Sequence, residues 1–242
     1  MKFSFSLEEE GNKGQGCYVV VALSALVFVL IWEWLWPNVI PFTLVEFWNL
    51  RGSWVDVLKT SWPILLWAVI VSIVTSACTR NDPEENDLAE KNLFVGGLMS
   101  LFAGIFEEIS FRWFIFYGQI IAYKVANFLF FGWLGFGVAE WLYLHLEGPI
   151  VNFITFGKMS HLLFSDFGWF VGAAMVTSNG KFRDGHAYQG CFGWLNSWVI
   201  GMVLFYIMFK HGLLASMVTH FVYDIIIFTV HYIDSVIERS CK

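Results

Sequence analysis

Charged side chains are scarce in this chain of 242 residues: Lys, Arg, Asp and Glu together make up 14% of it. A soluble domain carries about 25%, so the composition excludes an ordinary soluble protein. Hydrophobic residues make up 57%, and the mean hydropathy is +0.63. The composition therefore predicts a multi-pass integral membrane protein that is surrounded by the lipid bilayer. Its length is best divided into transmembrane spans of about 20 residues each.

Basic clusters and cysteine pairs are also missing. The formal net charge is −6, and no block of Lys or Arg is available to neutralise phosphates, so nucleic acid is not an expected partner. The four cysteines are scattered without a Cys-x-x-Cys, which indicates neither a disulfide framework nor a thiolate metal site. No clear cationic leader or small-residue cleavage site marks a signal peptide, so the first apolar run is predicted to be retained.

Apolar runs long enough to span a bilayer recur at about 17–36, 61–79, 93–123, 125–146, 149–178, 190–209 and 211–232. The run at 149–178 is interrupted by glycine and polar residues, so it counts as one span or as two shorter ones. The sequence predicts an all-α protein with seven or eight transmembrane helices. It divides into a tail and two spans with a hydrophilic loop (1–92), a core (93–232) and a C-terminal tail (233–242).

Three charges stand together within one of these runs, in the hexapeptide Glu107-Glu108-Ile109-Ser110-Phe111-Arg112. The flanking stretches 93–106 and 113–123 carry no charge, and each charge buried in a membrane helix costs about 3 kcal/mol. On an α-helix Glu108 and Arg112 share a face and can pair, whereas Glu107 projects about 100° away. We interpret Glu107 as the reactive carboxylate and Glu108–Arg112 as its support; the alternative is an interhelical salt-bridge cluster.

Two histidine motifs follow the hexapeptide. His186 stands four residues after Phe182 at the start of one apolar run, and His220 stands four residues before Asp224 inside the last one. Because of this spacing, His220 and Asp224 point to the same side of a helix. A lone histidine in a span is usually a hydrogen-bonded packing residue, but a histidine stacked with an aspartate favours a functional site.

Taken in order, Glu-Glu-x-x-x-Arg, Phe-x-x-x-His and His-x-x-x-Asp resemble the motifs of the CPBP (Abi) family. These are intramembrane proteases related to the eukaryotic CAAX prenyl endopeptidase. The resemblance covers about Leu93 to Ile227; each motif alone is weak, and the signal is their order. It implies eight helices around a membrane-embedded catalytic cavity, in the plasma membrane of a prokaryotic cell. The implied substrates are membrane-associated proteins or peptides, among them prenylated proteins and leader peptides.

The resemblance also implies roles for individual residues. Glu107 and His186 would polarise the attacking water, and Glu108 with Arg112 would hold the site together. His220 and Asp224 would stabilise the oxyanion, although the family often has Asn where this chain has Asp224. An aspartate must be protonated to donate a hydrogen bond, or else it orients His220 instead.

A cofactor is not expected. Zinc ligated by Glu107, His186 and His220, with an open fourth position, is the alternative that the sequence favours less. The helical zinc-protease signature His-Glu-x-x-His is absent, so direct activation of water by Glu107 and His186 is preferred.

Other polar residues in the apolar runs are interpreted as structural. Glu140 and His145 are five residues apart and do not share a helical face. His161 follows a phenylalanine by five residues rather than four, so His186 fits the second motif better. His211 and His231 lie near the ends of predicted spans and are taken as interfacial. No Gly-x-Ser-x-Gly elbow of a serine hydrolase is present.

The sequence therefore predicts an intramembrane endopeptidase. A non-catalytic membrane scaffold or regulator that keeps the same polar cluster is the alternative. A proton-coupled transporter that uses Glu107 and Asp224 as a relay is a further one, and no inverted repeat supports it.

Overall fold

The computed structural model describes residues 20–35 (except 21, 22 and 25), 40–79, 92–164 and 167–240. These residues are 86% helical and contain no strand, so the prediction of an all-α protein is confirmed. Of the predicted first span, the apolar helix Leu26–Leu35 is described. The rest of that span, apart from residues 20, 23 and 24, lies outside the described residues, as does the hydrophilic loop at 80–91.

Ten α-helices in the described residues carry labels below. They are α1 (Leu26–Leu35), α2 (Trp54–Thr79), α3 (Leu93–Glu107), α4 (Phe116–Leu129), α5 (Val138–Leu142), α6 (Gly148–Ile154), α7 (Ser160–Leu163), α8 (Trp169–Gly185), α9 (Gly190–His211) and α10 (Leu213–Ser240). Two π-helical segments, Glu108–Ile115 and Tyr143–Glu147, join α3 to α4 and α5 to α6.

Four helical stretches in the described residues are long and apolar enough to cross a membrane: Trp54–Ser76, Leu93–Leu129, Ala187–His211 and Leu213–Ile237. They coincide with four of the predicted runs. The runs predicted at 125–146 and 149–178 are instead divided into short helices and turns, followed by the 17 residues of α8. Glycines with positive φ at 135, 157 and 168 interrupt the helix there, because only glycine adopts that conformation without strain.

The chain folds into two compact units. Unit 1 comprises Met1–Glu46 and Ile109–Tyr206, and unit 2 comprises Phe47–Glu108 and Ile207–Lys242. These units follow the packing of the chain, whereas the three segments predicted from sequence follow its motifs, and that division stays a prediction.

Unit 2 contains α10 packed against α2 and α3. Two threonine–histidine contacts connect α2 to the end of α9 and to α10. Thr60 Oγ1 lies 2.8 Å from Nε2 of His211, the last residue of α9, and Thr75 Oγ1 lies 3.0 Å from Nε2 of His231 in α10. These partners give His211 and His231 a structural role.

Helix α3 approaches α10 through small residues. Gly96, Ser100 and Gly104 are buried and spaced four apart along α3, the pattern that lets helix backbones come close together in membranes. A Cβ built on Gly104 would lie 3.0 Å from the backbone oxygen of Met217 and 3.1 Å from the backbone nitrogen of Phe221. The end of α3 is therefore held directly against the first third of α10.

Candidate functional site

The charged hexapeptide lies where an α-helix changes to a π-helix. Helix α3 ends at Glu107, and the π-helical segment begins at Glu108 and includes Arg112. The sequence predicted that Glu108 and Arg112 lie on one uninterrupted α-helix, and that geometry is wrong. Both residues are in a π-helical segment, whose i→i+5 hydrogen bonds change how residues four apart stack. The Glu108–Arg112 ion pair stays a prediction. Short π-helical segments occur frequently at functional sites.

Glu108 is fully buried in unit 2 and accepts two hydrogen bonds from α10. Its Oε1 lies 2.8 Å from Nδ1 of His220, and its Oε2 accepts a hydrogen bond of 2.5 Å from the hydroxyl of Ser216. All three residues are at most 3% exposed. Glu108 therefore fixes the orientation of the His220 ring.

The other nitrogen of His220 faces two further carboxylates. His220 Nε2 lies 3.6 Å from Oδ2 of Asp224 and 3.9 Å from Oε2 of Glu107. The Glu107 side chain is 32% exposed and that of Asp224 is 22% exposed, against none of Glu108. Both distances exceed a direct hydrogen bond, so a water beside the three groups could contact each of them.

These four residues, Glu107, Glu108, His220 and Asp224, are called the carboxylate–histidine cluster. Three of them were predicted as catalytic and Glu108 as support, and the structure brings all four together in unit 2. The two adjacent glutamates diverge around the helix and reach opposite nitrogens of one imidazole ring. Sequence reasoning missed Ser216, although Ser216, His220 and Asp224 follow one another at intervals of four along α10. That spacing places the Ser216 hydroxyl on the same face of α10 as His220 and Asp224, and it could have identified Ser216 from the sequence.

Arg112 belongs to unit 1, where it is completely buried against aromatic rings. Its guanidinium carbon lies 4.0 Å from the centre of the Phe182 ring and 5.6 Å from that of Phe205. The hydroxyl of Ser178 donates to the backbone oxygen of Phe111, one residue before Arg112. These contacts anchor the π-helical segment to α8.

His186 also lies in unit 1, at the end of α8. Its ring is 4.6 Å from that of Phe182, and its Nδ1 lies 2.8 Å from the backbone oxygen of Phe182. A carbonyl only accepts, so Nδ1 carries the proton and neutral His186 has its lone pair on Nε2. Phe182 thus contacts both Arg112 and His186. The predicted convergence of His186 with the carboxylate–histidine cluster stays a prediction.

Three of the residues that were interpreted as structural, His145, Glu140 and His161, have contacts with nearby residues. Nδ1 of His145 lies 2.9 Å from the backbone oxygen of Trp141, on which its ring also stacks. The backbone nitrogen of Glu140 donates to the side-chain oxygen of Asn127. The ring of His161 meets Tyr206 edge to face.

The carboxylate–histidine cluster contains oxygen and nitrogen atoms of the kinds that bind a metal ion. Within the part of the chain that the structure describes, no group of three or more His, Cys, Asp or Glu is placed to hold one. In the cluster itself, Nδ1 of His220 is hydrogen-bonded to Glu108. We therefore derive no step through a metal.

The fold and the site together define a class: a helical protein with helices long enough to cross a membrane and a buried carboxylate–histidine cluster. Comparison with protein-family models, curated proteins and solved structures finds no significant match to this chain. The family resemblance therefore stays a hypothesis that rests on the three sequence motifs.

The contact between Arg112 and Phe182 gives a testable coupling energy. In a double-mutant cycle of Arg112→Lys and Phe182→Leu, we expect about 2 kcal/mol, because a desolvated guanidinium packed on an aromatic ring is worth about that much and lysine has no planar group. Reversible unfolding in mixed micelles measures it. The matched control pair is Arg51 and Phe47. The guanidinium carbon of Arg51 lies 5.6 Å from the centre of the Phe47 ring, and Arg51 is only half-buried, so we expect a coupling energy below about 1 kcal/mol. Equal couplings in the two pairs would refute the assignment.

Proposed function

We propose that this protein is a multi-pass integral membrane hydrolase that cleaves peptide bonds of membrane-associated proteins or peptides. The proposal includes seven or eight spans around a catalytic cavity, in a prokaryotic plasma membrane. One observation carries it: in unit 2, three carboxylates surround a single buried imidazole on two helices that are apolar enough to cross a membrane. Ionisable residues at such positions are costly, and they usually mark functional sites.

The cluster supplies groups that hydrolysis of an amide requires. A water has to be held and deprotonated, and the leaving amine has to receive a proton. Glu107 and Asp224 are partly exposed and face the same nitrogen of His220, so they can contact a water and a substrate. Glu108 is buried behind His220 and acts through it. Glu107 is the carboxylate proposed to polarise the water, and His186 of unit 1 is proposed to join it.

The position of the cluster along its helices limits the substrates. His220 follows Leu213, the first residue of α10, by seven residues, which places it about 10 Å along the helix axis. Glu107 is the last of the 15 residues of α3, about 21 Å from its start. A hydrocarbon core is about 30 Å thick, so the proposed cleavage point lies inside it and nearer to the Leu213 end. Peptide segments that enter the bilayer fit this depth, and prenylated tails and leader peptides are candidates.

A second candidate function is that of a non-catalytic membrane scaffold or regulator. The hydrogen bonds of Glu108 to His220 and Ser216 favour it, because they connect the start of the π-helical segment to α10 and would stabilise the fold in the absence of any reaction. The two candidate functions make different predictions for Glu107, the most exposed of the three carboxylates. A scaffold would keep its function when Glu107 is replaced, whereas a peptidase would lose its activity.

The proposed hydrolysis can be tested without a known substrate. The purified chain is reconstituted in vesicles with a library of single-span peptides in H₂¹⁸O, and the products are analysed by mass spectrometry. We expect new carboxyl termini that carry one ¹⁸O, cut within the apolar segment. Glu107→Gln protein in matched vesicles is the control for contaminating proteases. If no peptide yields more product than this control, the peptidase proposal fails and the scaffold is favoured.

A further inference from the structure

We infer that Ser216, Glu108 and His220 form a hydrogen-bonded relay that makes Nε2 of His220 the proton acceptor for the attacking water. This inference rests on the proposed function and deepens it. It names Ser216 as a positioning residue, and it assigns His220 a role different from the oxyanion donor that the family resemblance implies.

The first step is the location of the ring proton. The relay takes Glu108 as ionised: its Oε2 accepts a hydrogen bond from Ser216, and its Oε1 lies 2.8 Å from Nδ1 of His220. An ionised carboxylate only accepts, so Nδ1 must donate. Neutral His220 then carries its lone pair on Nε2. In this state Nε2 can take a proton and has none to donate to an oxyanion.

The second step is the position of the water. Nε2 of His220 lies 3.6 Å from Oδ2 of Asp224 and 3.9 Å from Oε2 of Glu107. A lone pair on Nε2 is repelled by these carboxylates unless a proton donor also contacts them. A water beside these atoms can donate one hydrogen to Nε2 and the other to a carboxylate, and its oxygen lone pairs stay available for attack. The geometry thus suits a nucleophilic water better than it suits a substrate oxyanion.

The reaction balances with water as its co-reactant. The water oxygen forms a bond to the carbonyl carbon of the scissile peptide while one of its protons moves to Nε2 of His220. The imidazolium is stabilised by Glu108, which accepts from Nδ1. The carbon–nitrogen bond then breaks, the proton on Nε2 passes to the leaving amine, and the products are a carboxylic acid and an amine. His220 returns to its neutral form with Nδ1 still bonded to Glu108.

The third step is the part played by Ser216. It is fully buried, and its hydroxyl holds Oε2 of Glu108, so that Oε1 stays directed at His220. Without this hydrogen bond the carboxylate can rotate, and His220 loses the partner that fixes its tautomer. Removing an outer partner that orients a metal-bound histidine typically costs ten- to a hundredfold in activity, and by analogy we expect about the same loss for Ser216→Ala.

The experiment observes the ring nitrogens directly. The full chain is prepared in micelles with histidine labelled with ¹⁵N at Nδ1 or at Nε2, and the His220 signal is identified by its loss in His220→Gln. The pH is raised until the ring is neutral, and in that state we expect a protonated Nδ1 and an unprotonated Nε2. Ser216→Ala should give a mixture of tautomers. Ser216→Thr, which keeps the hydroxyl, should restore the wild-type spectrum.

Ser100→Ala is the matched control. Ser100 is also fully buried in unit 2, but its hydroxyl donates to the backbone oxygen of Gly96 in its own helix. A general loss of packing would affect both serine variants, whereas the relay predicts that the His220 signal changes only in Ser216→Ala.

The outcomes separate this inference from the proposed function. The relay is overturned by a proton on Nε2 of the neutral ring, by a ring that keeps both protons at every pH at which the protein stays folded, or by an unchanged spectrum in Ser216→Ala. Each of these outcomes overturns it even if the reconstituted protein hydrolyses peptides. If the expected tautomer is found but no peptide is hydrolysed, the proposed function fails, and with it the role of His220 as a base. Hydrolysis that falls about ten- to a hundredfold in Ser216→Ala and recovers in Ser216→Thr supports both.

Discussion

Replacing Glu107 by glutamine is expected to abolish peptide hydrolysis, with a loss of about a thousandfold or more, while the protein stays folded. Glutamine keeps the size of the side chain but removes the charge that polarises a water, and general acid–base groups contribute about 10²–10⁴ to rate. The Glu107 side chain is 32% exposed, so the substitution should change the free energy of unfolding of the protein by less than about 1 kcal/mol. The ¹⁸O assay and unfolding in mixed micelles measure the two quantities.

Glu108→Ala, the matched substitution at the neighbouring carboxylate, is expected to behave differently. It leaves Nδ1 of His220 and the hydroxyl of Ser216 buried without their acceptor, which costs about 1–3 kcal/mol for each group. Activity and stability should therefore fall together, whereas in Glu107→Gln only activity falls. If Glu107→Gln hydrolyses peptides at the wild-type rate, the catalytic assignment is wrong. If Glu108→Ala is as stable as the wild type, the hydrogen-bonded network of unit 2 is not as described.

The part of this site that the sequence could predict depends on regular helical geometry. His220 and Asp224 are four residues apart and lie on one face of α10, as an unbroken helix requires. Glu107 is partly exposed and Glu108 is buried. Their division into a reactive and a supporting carboxylate stays a prediction, because it rested on the pairing of Glu108 with Arg112 on a regular α-helix, and Glu108–Ile115 is π-helical.

The π-helical segment could not be predicted, because it leaves the order of apolar residues unchanged. Hydrophobic periodicity records which residues are buried, but it does not record whether a turn closes after four or five residues. The tertiary contacts of Arg112 with Phe182 and of Ser178 with Phe111 involve residues more than 60 positions apart, and they lie outside any local pattern. The partner of Glu108 was missed for the same reason: His220 is 112 residues away.

The number of spans was difficult to predict for a different reason. A hydropathy window counts apolar side chains, but a helix also needs a backbone that continues without interruption. Phe131 and Phe156 are apolar and add to the count, yet both have positive φ and lie in turns. Three of the four confirmed stretches contain no residue with positive φ, and the fourth, Ala187–His211, has one only at Gly190, close to its start. Composition alone therefore located them correctly.

Gly104→Ala is expected to destabilise the protein by about 2 kcal/mol and to lower hydrolysis at least tenfold. The added Cβ would lie 3.0–3.2 Å from the backbone of Met217 and from the backbone and Cβ of Phe221. Backbone atoms of a helix cannot move aside individually, so α3 and α10 must separate, and such overpacking costs about 1–3 kcal/mol. The separation also moves Glu107 relative to His220, and a displacement of about 1 Å can cost a hundredfold in rate.

Gly180→Ala gives the opposite expectation and serves as the control. Gly180 lies within α8 of unit 1, and a Cβ there meets no atom within 4 Å. Alanine in a helix interior is favoured over glycine by about 0.5–1 kcal/mol, so this variant should be slightly more stable than the wild type, with unchanged hydrolysis. The same chemical change thus has opposite signs at the two positions. If both variants shift stability in the same direction, close contact at Gly104 does not explain how the end of α3 and the π-helical segment after it bring Glu107 and Glu108 to His220.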